Sequence, residues 1–326
     1  MPQKHLVLIH GRATKPVREE KERLVNKALL HGLERVSSRA AEAVRSGRAA
    51  TSLAYYGDIN NRLVLAAEPH RKAEMVEIDG AWYERPGSYD ADLDKLLARP
   101  TEHHGATHYA QLLREVPDRR WRDDVARVGS AILNVFGLGH RTVIAQLPDL
   151  WKYVTTRIEG SAIRDRLQRP LIAALRESED VAIVAHSMGC IVSYDVLWKL
   201  SRMSEYREFH QRRVSLWLTL GSPLGEPAVQ RGLYDSNEPG DGRYPNNIRH
   251  WVNIAARDDF VAHDATVADD FRKMVKRGCI GADAIVDRPR MCNFWVGTEG
   301  SNPHKFYGYL DHPEVAREIA AWIEQP

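Results

Sequence analysis

The sequence predicts an α/β protein built on a mostly parallel, doubly wound sheet, and three observations carry that reading. Short continuous apolar runs, among them Leu6 to Ile9, Val181 to Val184 and Val214 to Leu220, read as strands buried on both faces. The segments between them carry apolar residues at three- and four-residue steps, the period of an amphipathic helix. The runs end in turn signals, His10-Gly11, Gly57-Asp58, His186-Ser187-Met188 and Gly221-Ser222-Pro223, where a chain can leave a sheet sharply.

Taken in order, Leu6 to Ile9 is the first strand. From about Val17 to Val44 the residues Leu24, Val25, Leu29, Leu33, Val36, Ala40 and Val44 predict one long helix. A second strand over Thr51 to Tyr56 completes a βαβ unit, whose crossover should be right-handed. Between Ile59 and about Leu150 the pattern changes to a hairpin around Ile78-Asp79-Gly80-Ala81, then mostly helical segments rich in His, Arg and Trp without a clear buried strand. This stretch reads as an insertion. Alternation resumes with a helix over Ile163 to Arg176, the strand Val181 to Val184, a helix over Ile191 to Met203 and the strand Val214 to Leu220. Strands at Trp251 to Ala255 and Met291 to Val296 and a terminal helix at Pro313 to Ile323 complete the expected order. The expectation is one domain over 1–326, interrupted by an insert over 59–150.

With 326 residues, 43% of them hydrophobic, the chain can bury a large core. Lys and Arg number 46 against 44 Asp and Glu, and a net charge of +2 does not suggest nucleic-acid binding. Three cysteines imply no disulfide framework and favour a reducing compartment. The apolar run near the N-terminus is too short for a signal peptide, and the stretch VGSAILNVFGLGHRTVIAQL is broken by Asn134, His140 and Arg141. A soluble, cytoplasmic protein without stable membrane insertion is expected, its oligomeric state left open.

In a doubly wound sheet, ligands bind outside the carboxyl ends of the strands, so chemistry is sought there. The stretch VAIVAHSMGC runs an apolar strand directly into Ser187, with Ala185 and Gly189 two residues to either side. A serine here could cap the following helix or be held on a strand-to-helix turn as a nucleophile. Small residues at 185 and 189 favour the turn. Asp258 and Asp259 follow the strand WVNIA, and His304 and His312 lie before the terminal helix.

These residues resemble the α/β-hydrolase family. Its G-x-S-x-G elbow appears here as AHSMG, the form seen in small bacterial lipases, with Ala185 in place of the first Gly. The resemblance implies Ser187 as nucleophile. The family's chain order of Ser, acid, His makes Asp259 the acid in DDFVA, where Phe260 takes the place of a Pro, with Asp258 as the alternative. It makes His304, in NPHKFYGYL, the base; His312 competes but precedes Pro313 as a helix cap would. Oxyanion donors are implied at the backbone N–H of Met188 and of Arg12, or else Ala13. The insert over 59–150 becomes a cap, with Ala131, Ile132, Val135, Phe136 and Leu138 lining a pocket or packing among themselves.

Other constellations fit blander roles. His186 sits beside the nucleophile and cannot easily reach its hydroxyl, and His263 reads as a loop histidine. His103, His104 and His108 read as surface or cap histidines in preference to a metal site, since no glutamate gives H-E-x-x-H. Cys190 reads as a small buried hydrophobe, and the loop carrying Asp235, Glu238 and Asp241 as a polar loop near the site mouth without calcium-loop spacing. The expectation is a serine esterase, lipase or thioesterase acting on a small-molecule acyl substrate without metal or cofactor. An acyltransferase using the same triad, and a non-catalytic binding or scaffold protein on this fold, are the alternatives.

Overall fold

The computed structural model describes residues 3–116, 148–298 and 300–325. Its principal strands are β1 (Lys4–Ile9), β2 (Ala49–Ala54), β3 (Met75–Ile78), β4 (Ala81–Glu84), β5 (Asp180–His186), β6 (Val214–Leu220), β7 (Ile248–Ala256) and β8 (Ile285–Met291). Its principal helices are α1 (Arg18–Val36), α2 (Ser38–Arg45), α3 (Gly57–Ala67), α4 (Asp90–Leu97), α5 (Ala106–Glu115), α6 (Pro148–Thr155), α7 (Arg157–Glu177), α8 (Met188–Arg202), α9 (Pro227–Arg231), α10 (Arg272–Lys276), α11 (Phe306–Leu310) and α12 (Pro313–Glu324).

Six strands form one sheet in the order β2-β1-β5-β6-β7-β8, and every neighbouring pair is parallel. The apolar runs read as double-sided strands because successive residues feed two different cores. Val7 and Ile9 of β1 and Val181 and Ile183 of β5 join Ile163, Leu167, Leu171 of α7 and Ile191 and Leu197 of α8 on one face. Leu6, Leu8, Ala182 and Val184 point the other way, to Leu24, Leu29, Leu33 of α1 and Val315, Ile319 and Trp322 of α12. Helices therefore cover the sheet on both faces, the α/β arrangement. β3 and β4 form a separate antiparallel hairpin turning at Asp79-Gly80.

Two expectations from sequence are corrected. The single helix expected over 17–44 is two helices, because Ser37 leaves the helical region (φ −156°, ψ 106°) and its side chain accepts from the Ala40 N–H to start α2. A serine side chain competes well for a helix N-terminus, and the apolar period continues across the break. The last sheet strand is not Met291 to Val296 but β8, IVDRPRM, which pairs along Trp251 to Ala256 with an irregularity at Ala255/Ala256. β8 is an edge strand, so it tolerates Pro289 and exposes Arg288 and Arg290. Cys292, Phe294 and Trp295 are apolar because they are buried in the core on this face, Phe294 against Tyr109 of α5 and Trp295 against Tyr89 and Tyr307, not because they belong to the sheet.

No helix among the described residues is long and apolar enough to cross a membrane. The apolar stretch 128–147, with Ala131, Ile132, Val135, Phe136 and Leu138, lies outside the described residues.

His312 is the N-cap of α12, accepting from the Glu314 N–H at 3.2 Å. Burial, reinforced by the neighbouring His104, pushes its pKa down from 6.5 to about 3. The unfolded chain protonates this imidazole near pH 6.5 while the folded protein resists, so the stability it confers is complete above about 6.5 and drains away as pH falls toward 3. His312→Asn keeps a capping acceptor and removes the titration. Stability measured by urea unfolding between these limits should fall less steeply with acidification in the variant, by on the order of 1–3 kcal/mol across the acid limb. Parallel acid limbs would show that His312 is not a source of the acid sensitivity.

Candidate active site

The site is assembled at the carboxyl end of the sheet around one strained turn. β5 ends at His186, Ser187 takes φ 57° and ψ −126°, and α8 begins at Met188. A side-chain-bearing residue in this region costs on the order of 1–3 kcal/mol and persists only where its surroundings force it. Here the Ser187 N–H donates to the Leu220 carbonyl at 3.0 Å, and the Ser187 carbonyl accepts from Cys190 N–H at 2.9 Å. The end of β1 presses on the turn from above. A Cβ at Gly11 would lie 2.7 Å from Ser187 Cβ, and one at Gly189 would lie 2.8 Å from the His10 carbonyl oxygen. The serine side chain does not cap α8. Its Oγ lies 2.8 Å from His304 Nε2.

His304 is delivered from the loop before α11, and its Nδ1 lies 2.8 Å from Asp259 Oδ2. The same carboxylate oxygen accepts from the Tyr309 hydroxyl at 2.7 Å, while Oδ1 accepts from Val261 N–H at 3.0 Å. An acceptor-only carboxylate assigns the proton to His304 Nδ1, which leaves Nε2 to accept from Ser187. Asp259 is buried after β7, whereas Asp258 turns the chain at φ 64° and stays half-exposed. Gly221 (φ +54°) passes so close to the pair that a Cβ there would lie 2.8 Å from Asp259 Oδ2 and 3.0 Å from His304 Nδ1.

The competing histidines are occupied elsewhere. His312 caps α12. His186 donates from Nε2 to the His304 carbonyl at 2.7 Å and stacks on Phe306, and burial, aided by His304, keeps it neutral. His263 is exposed near Glu226. His103 stacks on His108, while His104 donates from Nδ1 to the Pro100 and Thr101 carbonyls, so the three do not converge. Cys190 is buried in the core. The loop carrying Asp235, Glu238 and Asp241 is not at the mouth of the site: Asp235 accepts from Tyr194 of α8 at 2.9 Å, and the Gly242 carbonyl accepts from Trp198 at 2.8 Å.

The supporting roles of Tyr309, Asn293 and Asp149 carried no signal in the sequence, whereas His10 stands in the turn signal His10-Gly11. Tyr309 donates to Asp259 and accepts from Ala256 N–H at 2.8 Å, tying the acid to the end of its own strand. Asn293, fully buried, donates to the Pro303 and Lys305 carbonyls at 2.8 and 3.0 Å and so brackets His304 on both sides. His10 donates from Nδ1 to the Gly11 carbonyl and accepts from Tyr56 N–H, which fixes the end of β1. Asp149 accepts from Ala13 N–H at 2.6 Å and from Arg12 Nε at 3.2 Å. Because the Ala13 N–H is committed to Asp149, it is unsuited to serve as an oxyanion donor.

Beside Ser187 lies a cavity of about 230 Å³ whose wall includes Arg12, Lys15, Lys21, His186 and Lys305, with Glu84 and Tyr89 contributed from the stretch between β2 and α6. Comparison with protein-family models, curated proteins and solved structures finds no match for this chain.

Removing the Asn293 amide takes the donor from the buried Pro303 carbonyl, while the Lys305 carbonyl keeps the Gly308 N–H at 3.1 Å, and the lost bond costs roughly 1–3 kcal/mol. Asn293→Ala should therefore lower the stability measured by urea unfolding by that amount and raise the hydrogen-exchange rate of amides over 302–306 above that of α8. Uniform exchange across the two segments would mean that Asn293 does not hold this loop.

Proposed function

We propose that this protein is a serine hydrolase of the α/β-hydrolase kind, cleaving an acyl ester or thioester through an acyl-enzyme. The observation that carries the reading is the continuous chain Ser187 Oγ, His304, Asp259, with both links at 2.8 Å, anchored on the strained turn beside a cavity. A serine at its free pKa is a poor nucleophile and needs a base that takes its proton and a carboxylate that fixes the base's tautomer.

In the proposed reaction Ser187 Oγ attacks the acyl carbonyl as its proton passes to His304 Nε2. Asp259 holds Nδ1–H and stabilises the imidazolium that forms. The tetrahedral oxyanion is met by the N–H of Met188, which opens α8 and has no carbonyl within its own helix to bond, and by the N–H of Arg12. The close approach of Gly11 to Ser187 brings the end of β1 within reach of the reacting centre. His304 then protonates the leaving group, and water attacks the acyl-enzyme along the same path, its proton taken by His304. The insert over 59–150 fits the role of a cap, since Glu84 and Tyr89 from it reach the cavity wall. An acyltransferase would share every step but the last, with another acceptor in place of water.

A neutral fluorophosphonate should label Ser187 stoichiometrically, located by peptide mass. Ser187→Ala and His304→Ala should each lower turnover of an activated ester by about 10⁴-fold or more, with the double variant scarcely worse than either, because the residues act as one unit. Asp259→Asn should cost about 10³ to 10⁴-fold and Asp258→Asn little. An unlabelled Ser187 without turnover would leave the fold as a non-catalytic scaffold, and additive losses in the double variant would show that Ser187 and His304 do not act as one unit.

A further inference from the structure

Three lysines lie on the wall of the Ser187 cavity. Lys15, Lys21 and Lys305 all line it, and among the described lining residues Glu84 supplies the one carboxylate. Glu84 accepts from Thr14 at 2.8 Å and Tyr89 at 3.0 Å, and its charge also acts on Lys15 and Lys21 without a direct ion pair to either. Lys15 folds its ammonium onto the Arg12, Ala13 and Thr14 carbonyls at 2.5, 3.1 and 2.9 Å, so its charge sits under the loop that carries the Arg12 amide.

Lys21 is the most telling of the three. It is only 3% exposed on α1, and its Nζ donates to the Tyr307 hydroxyl at 2.9 Å, 4.2 Å from that ring's centroid. Among the described residues it forms no ion pair, although an ammonium has three protons to donate. Burying a lysine without a counter-charge costs several kcal/mol, and a methionine would fill the same volume without that cost. Burial, with the charges of Lys15 and then Lys305 adding to it and Glu84 only partly opposing, pushes Lys21 well below its ordinary value, and Lys15 falls to about 8, chiefly through burial that Glu84 partly offsets. An anion in the cavity would reverse that effect by pairing with the cluster.

Resting on the hydrolase reading above, we propose that the acyl substrate carries an anionic group, a carboxylate or a phosphate, and that Lys21 with Lys15 and Lys305 selects for it. A cavity of about 230 Å³ limits the anionic portion to a short arm. Charge-assisted hydrogen bonds from a buried ammonium then discriminate charged from neutral acyl chains by binding the anion at a fixed distance from Ser187.

The test compares para-nitrophenyl valerate with the para-nitrophenyl monoester of glutarate, matched in length and differing in the terminal carboxylate. The monoester should have a kcat/KM higher by about 10-fold or more, from a charge-assisted bond of roughly 1.5–3 kcal/mol. Lys21→Met should bring the ratio of the two substrates toward unity. If that variant does not fold, Lys305→Gln should lower the same ratio by several-fold. In parallel, glutarate and inorganic phosphate are each tested for slowing fluorophosphonate labelling of Ser187, with dimethyl glutarate as the neutral control. Protection by glutarate alone assigns a carboxylate, and stronger protection by phosphate assigns a phosphate. Ser187-dependent hydrolysis or labelling with no charge preference and no protection overturns the anion site and leaves the hydrolase reading standing. Neither turnover nor labelling at Ser187 removes the hydrolase reading and this inference together.

Discussion

The backbone at Ser187 can hold its conformation only because strand ends on either side leave it nowhere else to go. β6 takes its N–H through the Leu220 carbonyl, and β1 closes over it through Gly11 and, at the foot of α8, Gly189. The strain is local, while the constraint that sustains it is the register of the parallel strands β1, β5 and β6. Those strands keep register because each buries alternate residues in two separate cores, and a slip by one residue would exchange the two faces. The direction of one hydroxyl thus depends on packing across the whole sheet.

Around that turn, buried hydrogen bonds do the aligning. Asp259 is held by backbone amides and by Tyr309, and His304 is bracketed by Asn293 and backed by His186. Tyr309 and Asn293 both lie on or against the segment around α11, which a second buried network anchors to α1. Asp311 accepts from Arg35 through both oxygens at 3.0 Å and from His31 at 2.7 Å, and although burial alone would raise its pKa, His104, His31 and Arg35 together hold it below the usual carboxylate range. A carboxylate so satisfied in low dielectric fixes geometry more than it adds stability, since desolvation offsets much of the attraction. The loop that presents His304 is therefore positioned from β7 on one side and α1 on the other.

Charge distinguishes the two ends of the site. Ser187, His304 and Asp259 form a compact hydrogen-bonded chain, whereas the adjoining cavity collects lysines from the β1 loop, from α1 and from the residue after His304. Aromatic faces temper this concentration: Lys21 lies over Tyr307 and Lys305 over Tyr89 at 3.7 Å.

The sequence by itself determined the layered α/β arrangement and the place of the turn. Buried strands must be apolar on both faces, and a backbone crossing as close as Gly189 to His10 requires small residues beside the serine, so both leave a local mark. The period of α1 and α2 was equally legible, but the break at Ser37 was not, because a serine on a helical period reads as a surface position until its side chain is seen capping Ala40. Phe294 and Trp295 read as strand for a similar reason: apolarity reports burial, not pairing, and the true edge strand was masked by Pro289 and its exposed charges. Only the tertiary structure decided which aspartate faces His304, which histidine caps a helix, and that Ala13 N–H is spent on Asp149. It alone revealed Tyr309, Asn293 and the clustered lysines, because those contacts join residues separated by up to hundreds of positions, such as Lys21 and Tyr307, and no short-range pattern encodes a meeting that depends on how the whole chain folds.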